Sequence, residues 1–126
     1  MTFGYKLPVR RVRTLPPFPL HQTIEPVGRP PRIARLVALA HKLESMIQSG
    51  AVEDYKDLSQ RAQVSPTRIG QIVLLAHLAP EIQEYVLFLS AEYAGLITEL
   101  QLRNIAHELV WQQQRQMFME LLSRRR

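Results

Sequence analysis

Ser65, Thr67, Arg68 and Gln71 stand in the stretch LSQRAQVSPTRIGQI, residues 58 to 72, where Ile69, Ile72 and Val73 recur at helical spacing. With those apolar residues on one side, the polar four share the opposite, leading edge of a short helix. Their chemistry fits a DNA duplex. Arg68 can fork to guanine, Gln71 can pair with adenine, and Ser65 or Thr67 can reach a phosphate or a base edge. Arg61, just upstream, is placed for phosphate, and Gly70 leaves room for close approach.

Such residues read a groove only if the chain holds them at the right angle. Ser65 sits where an N-cap belongs and Pro66 at the first helical position, where a missing N–H costs nothing. The spacing predicts a helix over 66–77 that buries Ile69, Ile72, Val73 and Ala76. Before it, a shorter helix begins near Glu53 or Asp54, whose carboxylates suit the positive end of the helix dipole. Tyr55, Leu58 and Ala62 share one of its faces, and it ends before Val64. Two short helices joined by so tight a turn form a helix-turn-helix unit, with Ser59 or Ala62 as the small residue at the crossing and Val64 as the apolar plug. Gln63 occupies a turn position where glycine is usual, at a strain of roughly 1 kcal/mol. A plain helical hairpin with a solvated polar face is the competing reading.

The remaining elements are also helical. Ile33, Leu36, Val37, Leu39, Ala40, Leu43, Met46 and Ile47 predict a first helix over 33–48, with Gly50 at its C-terminal cap. Pro80 opens a further helix through Ile82, Tyr85, Val86 and Leu89, with Glu81 in its first turn. Thr98 and Gln101 stand at capping-box spacing before a last long helix through Leu102, Ile105, Ala106, Leu109, Val110, Phe118, Leu121 and Leu122, with a break or bend expected in QQQRQ at 112–116. No window alternates with a period of two. The expected fold is all-α: a compact multi-helix domain over 32–126 with a central helix-turn-helix, preceded by a Pro-rich basic arm.

Seven of the nine prolines lie between Pro8 and Pro31, so neither a helix nor a central strand can run through residues 1–31. The apolar residues Phe3, Tyr5, Leu15, Phe18, Leu20 and Ile24 are too many for a solvated linker, and part of this arm is expected to lie against the body or a partner. The net charge of +5 is divided unevenly: +6 over residues 1–35, −4 over 36–123, and +3 from Arg124, Arg125 and Arg126. A mildly acidic body with basic arms points to tails that track phosphate, with Arg10, Arg11, Arg13, Arg29 and Arg32 as the candidates. Basic arms that only maintain solubility are the alternative.

Other chemistries find little support. With no cysteine there is no thiolate and no Cys-based metal site. His21, His41, His77 and His107 are scattered, without the paired spacing of a helical zinc site. The serines lack a nucleophile elbow, and no glycine loop could cradle a phosphate. The chain is expected to be a non-enzyme without cofactor or metal. Its longest apolar runs fall far short of a membrane span, and its N-terminus lacks the apolar core of a secretory signal, so a cytoplasmic, nucleoid-associated location is expected.

The segment EDYKDLSQRAQVSPTRIGQIVLLAHLAPEIQEYVL, preceded by the helix over 33–48, resembles the helix-turn-helix domain of ParB/KorB-type partition proteins. The order of its parts carries the resemblance: a small residue, Val-Ser, a recognition helix, then a Leu-rich segment ending in PEIQ. The stretch from Ile97 to Leu109 is similar to the next helix of that domain. The resemblance implies sequence-specific double-stranded DNA binding through Thr67, Arg68 and Gln71. The Pro-rich arm lacks the length and pattern of the amino-terminal nucleotide-binding domain of those proteins, so CTP-driven clamping is not expected. More loosely, RPPRIARL and the tryptophan before QQQRQMF look like small uncharacterised proteins encoded beside site-specific recombinases, which implies a regulatory or recombination-accessory setting and a recombinase partner.

Trp111, Met117, Phe118, Met119, Leu121 and Leu122 make the last helix apolar on more than one side. Packing within the monomer and contact with a second copy, as in dimeric helix-turn-helix proteins, both fit this pattern. A helical protein-interaction adaptor, with a purely structural helix-turn-helix, is the alternative to DNA binding.

Overall fold

A computed structural model of the chain describes residues 15–20 and 26–124. Among them lie six α-helices and no strand: α1 (Arg32–Gln48), α2 (Tyr55–Ala62), α3 (Pro66–Leu74), α4 (Pro80–Leu87), α5 (Glu99–Ala106) and α6 (Trp111–Ser123), with 3-10 turns at Leu75–His77 and Ala91–Tyr93. The all-α expectation holds.

The helix α1 is the spine, packing on α3, α4 and the 3-10 turn at Leu75–His77. Its buried face of Ile33, Leu36, Val37, Ala40 and Leu43 follows the three- and four-residue spacing, whereas Leu39 is left 38% exposed. Gly50, with φ of 82°, supplies the left-handed residue that lets the chain leave α1. The third helix is shorter than expected, tightening into the 3-10 turn after Leu74.

The largest departure concerns the last long helix, which is two. The chain breaks at His107–Val110, ahead of the polar QQQRQ run. Gln114 explains the position. Its side chain is 1% exposed. The amide Oε1 accepts from the Ala79 N–H at 2.6 Å, while Nε2 donates to the carbonyls of Glu108 at 2.7 Å and His77 at 3.3 Å. One buried amide thus satisfies backbone groups that the corner and the start of α4 would otherwise leave unpaired. Leu109 and Val110, expected in the core, are 91% and 53% exposed as a result.

Part of the Pro-rich arm belongs to the body. Leu15 is 1% exposed, and Phe18 and Leu20 pack on the core. The Phe18 ring meets Tyr85 and Phe118 edge to face at centroid distances of 5.9 and 5.0 Å. Tyr85 donates its hydroxyl to the Pro16 carbonyl at 2.6 Å. Closer to α1, the Val27 N–H donates to Ser90 Oγ at 3.0 Å, and the Ala91 N–H to the Val27 carbonyl at 2.9 Å. A Cβ on Gly28 would stand 3.0 Å from that of Ala91, so this crossing requires glycine. Phe3, Tyr5 and Ile24 lie outside the described residues.

Candidate nucleic-acid interface

The unit formed by α2 and α3 is assembled by local chemistry at every joint. Asp54 caps α2, accepting from the Asp57 N–H at 2.9 Å, and the Asp57 carboxylate accepts in return from the Glu53 N–H at 3.0 Å. The hydrogen bond from the Glu53 N–H, and after it the one from Arg61 Nε, hold the Asp57 carboxyl below the usual carboxylate range. At the other end of α2, Gln63 adopts φ of 57° and ψ of 42°, the left-handed conformation expected of that turn position. Ser59 is the small residue at the crossing: it is buried and donates its hydroxyl to the Val64 carbonyl. Ala62, the other candidate, is exposed. Val64 is partly buried against the core, as a plug requires.

From this turn α3 begins as its residue types dictate. Ser65 caps it, accepting from the Arg68 N–H at 3.1 Å, and Pro66 follows at the first position. Ile69, Ile72 and Val73 face inward. Ser65 and Thr67 are exposed, and Arg68 and Gln71 are partly exposed. Gly70 lies on the flank facing α2, where an added Cβ would stand 4.0 Å from the Tyr55 ring.

The opposite flank of α3 carries an interaction that the reading of the sequence missed. Glu99, the first residue of α5, takes a bidentate contact from Arg68: Nη1 lies 2.5 Å from Oε2 and Nη2 2.9 Å from Oε1. Arg103, one turn along α5, approaches the same carboxylate at 3.3 Å, and Arg32, the first residue of α1, at 3.7 Å. Three guanidinium groups thus surround one carboxylate that is 12% exposed, leaving two positive charges in excess. The Arg68 hydrogen bonds, reinforced by the charges of Arg68, Arg103 and Arg32, hold the Glu99 carboxyl below its ordinary range against the opposing effect of burial. The same pair raises the Arg68 guanidinium above its usual value. The visible signal for Glu99 was its place between Thr98 and Gln101, whose reciprocal capping box is formed at 3.2 and 2.9 Å. That spacing locates Glu99 on α5 but says nothing of its partner across the fold.

The other expected contacts are more dispersed. Arg61 stays with its own helix, its Nε 3.0 Å from Asp57 and its side chain 64% exposed. Arg29 is exposed on the approach to α1. Arg10, Arg11 and Arg13 lie outside the described residues. Among the described residues, no three His, Asp or Glu side chains are grouped to hold a metal ion, and no helix is long and apolar enough to cross a membrane.

These elements define an all-helical chain built around a helix-turn-helix unit whose leading edge stands beside an arginine cluster. The chain matches no family model, no curated protein and no solved structure. The resemblance to partition-protein domains therefore rests on the sequence pattern over residues 33–109.

Proposed function

We propose that the protein binds double-stranded DNA sequence-specifically, with α3 as the element that enters the major groove. One observation carries this reading: the polar front of α3 is open at Ser65 and Thr67, and its own Arg68 shares a single carboxylate with Arg32 and Arg103 from the adjoining helices. A groove-reading helix needs a solvent-facing polar edge between cationic groups that meet phosphate. Arg32, Arg61 and Arg29 are exposed enough for phosphate; Arg68 and Thr67 are the base readers. Arg10, Arg11 and Arg13 extend the positive charge along the arm. Regulation of, or accessory service to, a mobile-element recombinase is the setting that the looser resemblance implies.

The test is a mobility shift on duplexes selected by the chain from a random pool, compared with scrambled duplex. Arg68→Ala weakens the selected duplex by about 10- to 100-fold and relaxes one base position. Replacing Arg10, Arg11, Arg13 and Arg29 together by Gln weakens all duplexes alike and flattens the salt dependence. Substitution is preferable to removing the arm, because Leu15 and Phe18 form part of the core. If neither change alters binding, the reading is wrong.

The adaptor reading draws on a different observation. Leu109, Val110, Trp111 and Met119 are 91, 53, 48 and 54% exposed around α6 and the corner before it, an apolar surface suited to a protein partner or a second copy. Association that persists after nuclease treatment, together with no salt-sensitive shift of random duplex, would favour that function.

A further inference from the structure

Arginine offers five N–H donors on two usable edges. In Arg68, Nη1 is spent twice, on Glu99 Oε2 at 2.5 Å and on Gln71 Oε1 at 3.1 Å. Nη2 gives one of its two hydrogens to Glu99 Oε1 at 2.9 Å. The other Nη2 hydrogen and the Nε–H have no partner among the described residues. These two form the side-on fork of the guanidinium, the edge that matches two acceptors on one base. The side chain is 30% exposed, so the guanidinium is held by Glu99 and Gln71 while part of the side chain remains in contact with solvent.

We infer that Glu99 is a positioning residue which, with Gln71, holds Arg68 so that its Nε/Nη2 edge reads the O6 and N7 of a single guanine. This inference rests on the DNA-binding reading and specifies one base of the target. It also reassigns Gln71 from reading adenine to supporting Arg68, from which its amide oxygen accepts. The surroundings favour this function over plain ion pairing. Arg103 and Arg32 hold Glu99 in turn, so its carboxylate has cationic neighbours on several sides and stays put when Arg68 engages a base. A guanidinium fixed before contact loses less rotamer freedom on binding, which favours the matching site over all others. A carboxylate beside the backbone of a duplex also repels phosphate, lowering affinity for every sequence alike.

The two effects give Glu99→Gln a signature that no general weakening reproduces. Affinity for the selected duplex falls, affinity for scrambled duplex holds or rises, and the ratio between them drops by about tenfold, the scale of one good base contact. Repeating the selection with the variant loses the same guanine that Arg68→Ala loses. Gln71→Ala, which leaves the charges intact, relaxes that same guanine to a smaller degree and spares every adenine position. In an Arg68→Ala background, Glu99→Gln causes no further loss of discrimination. Circular dichroism at the assay temperature confirms that each variant is folded. If Glu99→Gln strengthens both duplexes equally, Glu99 is only a competitor for Arg68; if it weakens both equally, it only maintains the fold. Either result overturns the inference while leaving the DNA-binding reading in place. Relaxation of an adenine by Gln71→Ala overturns it too. An unaltered chain that discriminates among no duplexes overturns both.

Discussion

Around Glu99 three guanidinium groups with side chains 24 to 68% exposed converge on one carboxylate. Around Phe118 three rings, Phe18, Tyr85 and Phe118, meet edge to face at 5.0 to 5.9 Å in a region sealed from solvent at Phe118 and Tyr85. Charge-assisted contacts near the surface contribute modestly to stability, weaken in salt and can be exchanged for a ligand's charges. Ring contacts in a closed core have no substitute in water and fix the positions of α4, α6 and the arm. The molecule separates the two tasks, so that the cluster beside α3 can meet a partner while the aromatic cluster holds the frame that carries it.

The largest expected effect lies at the aromatic cluster. Phe118→Ala removes a ring that touches both Phe18 and Tyr85 and leaves a cavity where the arm meets α6. The expected loss is about 3–5 kcal/mol, read from the urea midpoint of far-ultraviolet circular dichroism. A loss below about 1 kcal/mol would mean that the arm is not part of the folded core.

A smaller effect, of a different kind, belongs to Glu99. Its carboxyl is held below the ordinary value, first by the Arg68 hydrogen bonds and then by the charges of Arg68, Arg103 and Arg32. The stabilisation is therefore fully present above the unfolded value of about 4.3 and fades as pH falls through the depressed folded value. Glu99→Gln is accordingly less stable than the unaltered chain at neutral pH, and the two converge in acid. Unfolding midpoints measured from pH 7 down to pH 2 test this, and curves that stay parallel refute it.

Local and distant contacts were unequally legible in the sequence. The helix caps and the turn before α3 are built from neighbours in the chain: Asp54, Ser65, Pro66, Thr98 with Gln101, and the left-handed Gln63 each act within five residues, so spacing alone reveals them. Gln114 and Glu99 act across 35 and 31 residues. Nothing in QQQRQ distinguishes the glutamine that enters the core from those that face water. Polarity therefore placed the break of the last helix inside that run, whereas the buried amide of Gln114 sets the corner at His107–Val110. Leu109 and Val110 fit the helical period and are nonetheless exposed, because the corner turns them outward. The leading edge of α3 was readable; the carboxylate behind Arg68 was not, since an ion pair between distant elements leaves no periodic trace.

The smallest expected effect sharpens the assignment of the two flanks of α3. Gly70 sits inside the helix with ordinary helical geometry, and an added Cβ would rest in normal contact with the Tyr55 ring at 4.0 Å. Glycine there is not required by packing within the chain, so Gly70→Ala stabilises the fold by about 0.5–1 kcal/mol through the reduced entropy of the unfolded chain. Affinity for a selected duplex stays unchanged, because the methyl group lies toward α2, on the flank away from Arg68. A stabilised variant that binds the duplex less well would mean that DNA approaches α3 on the Tyr55 side, close enough to exclude a methyl group. The glycine would then be a feature of the interface, and the Arg68 flank would no longer be the principal reading edge.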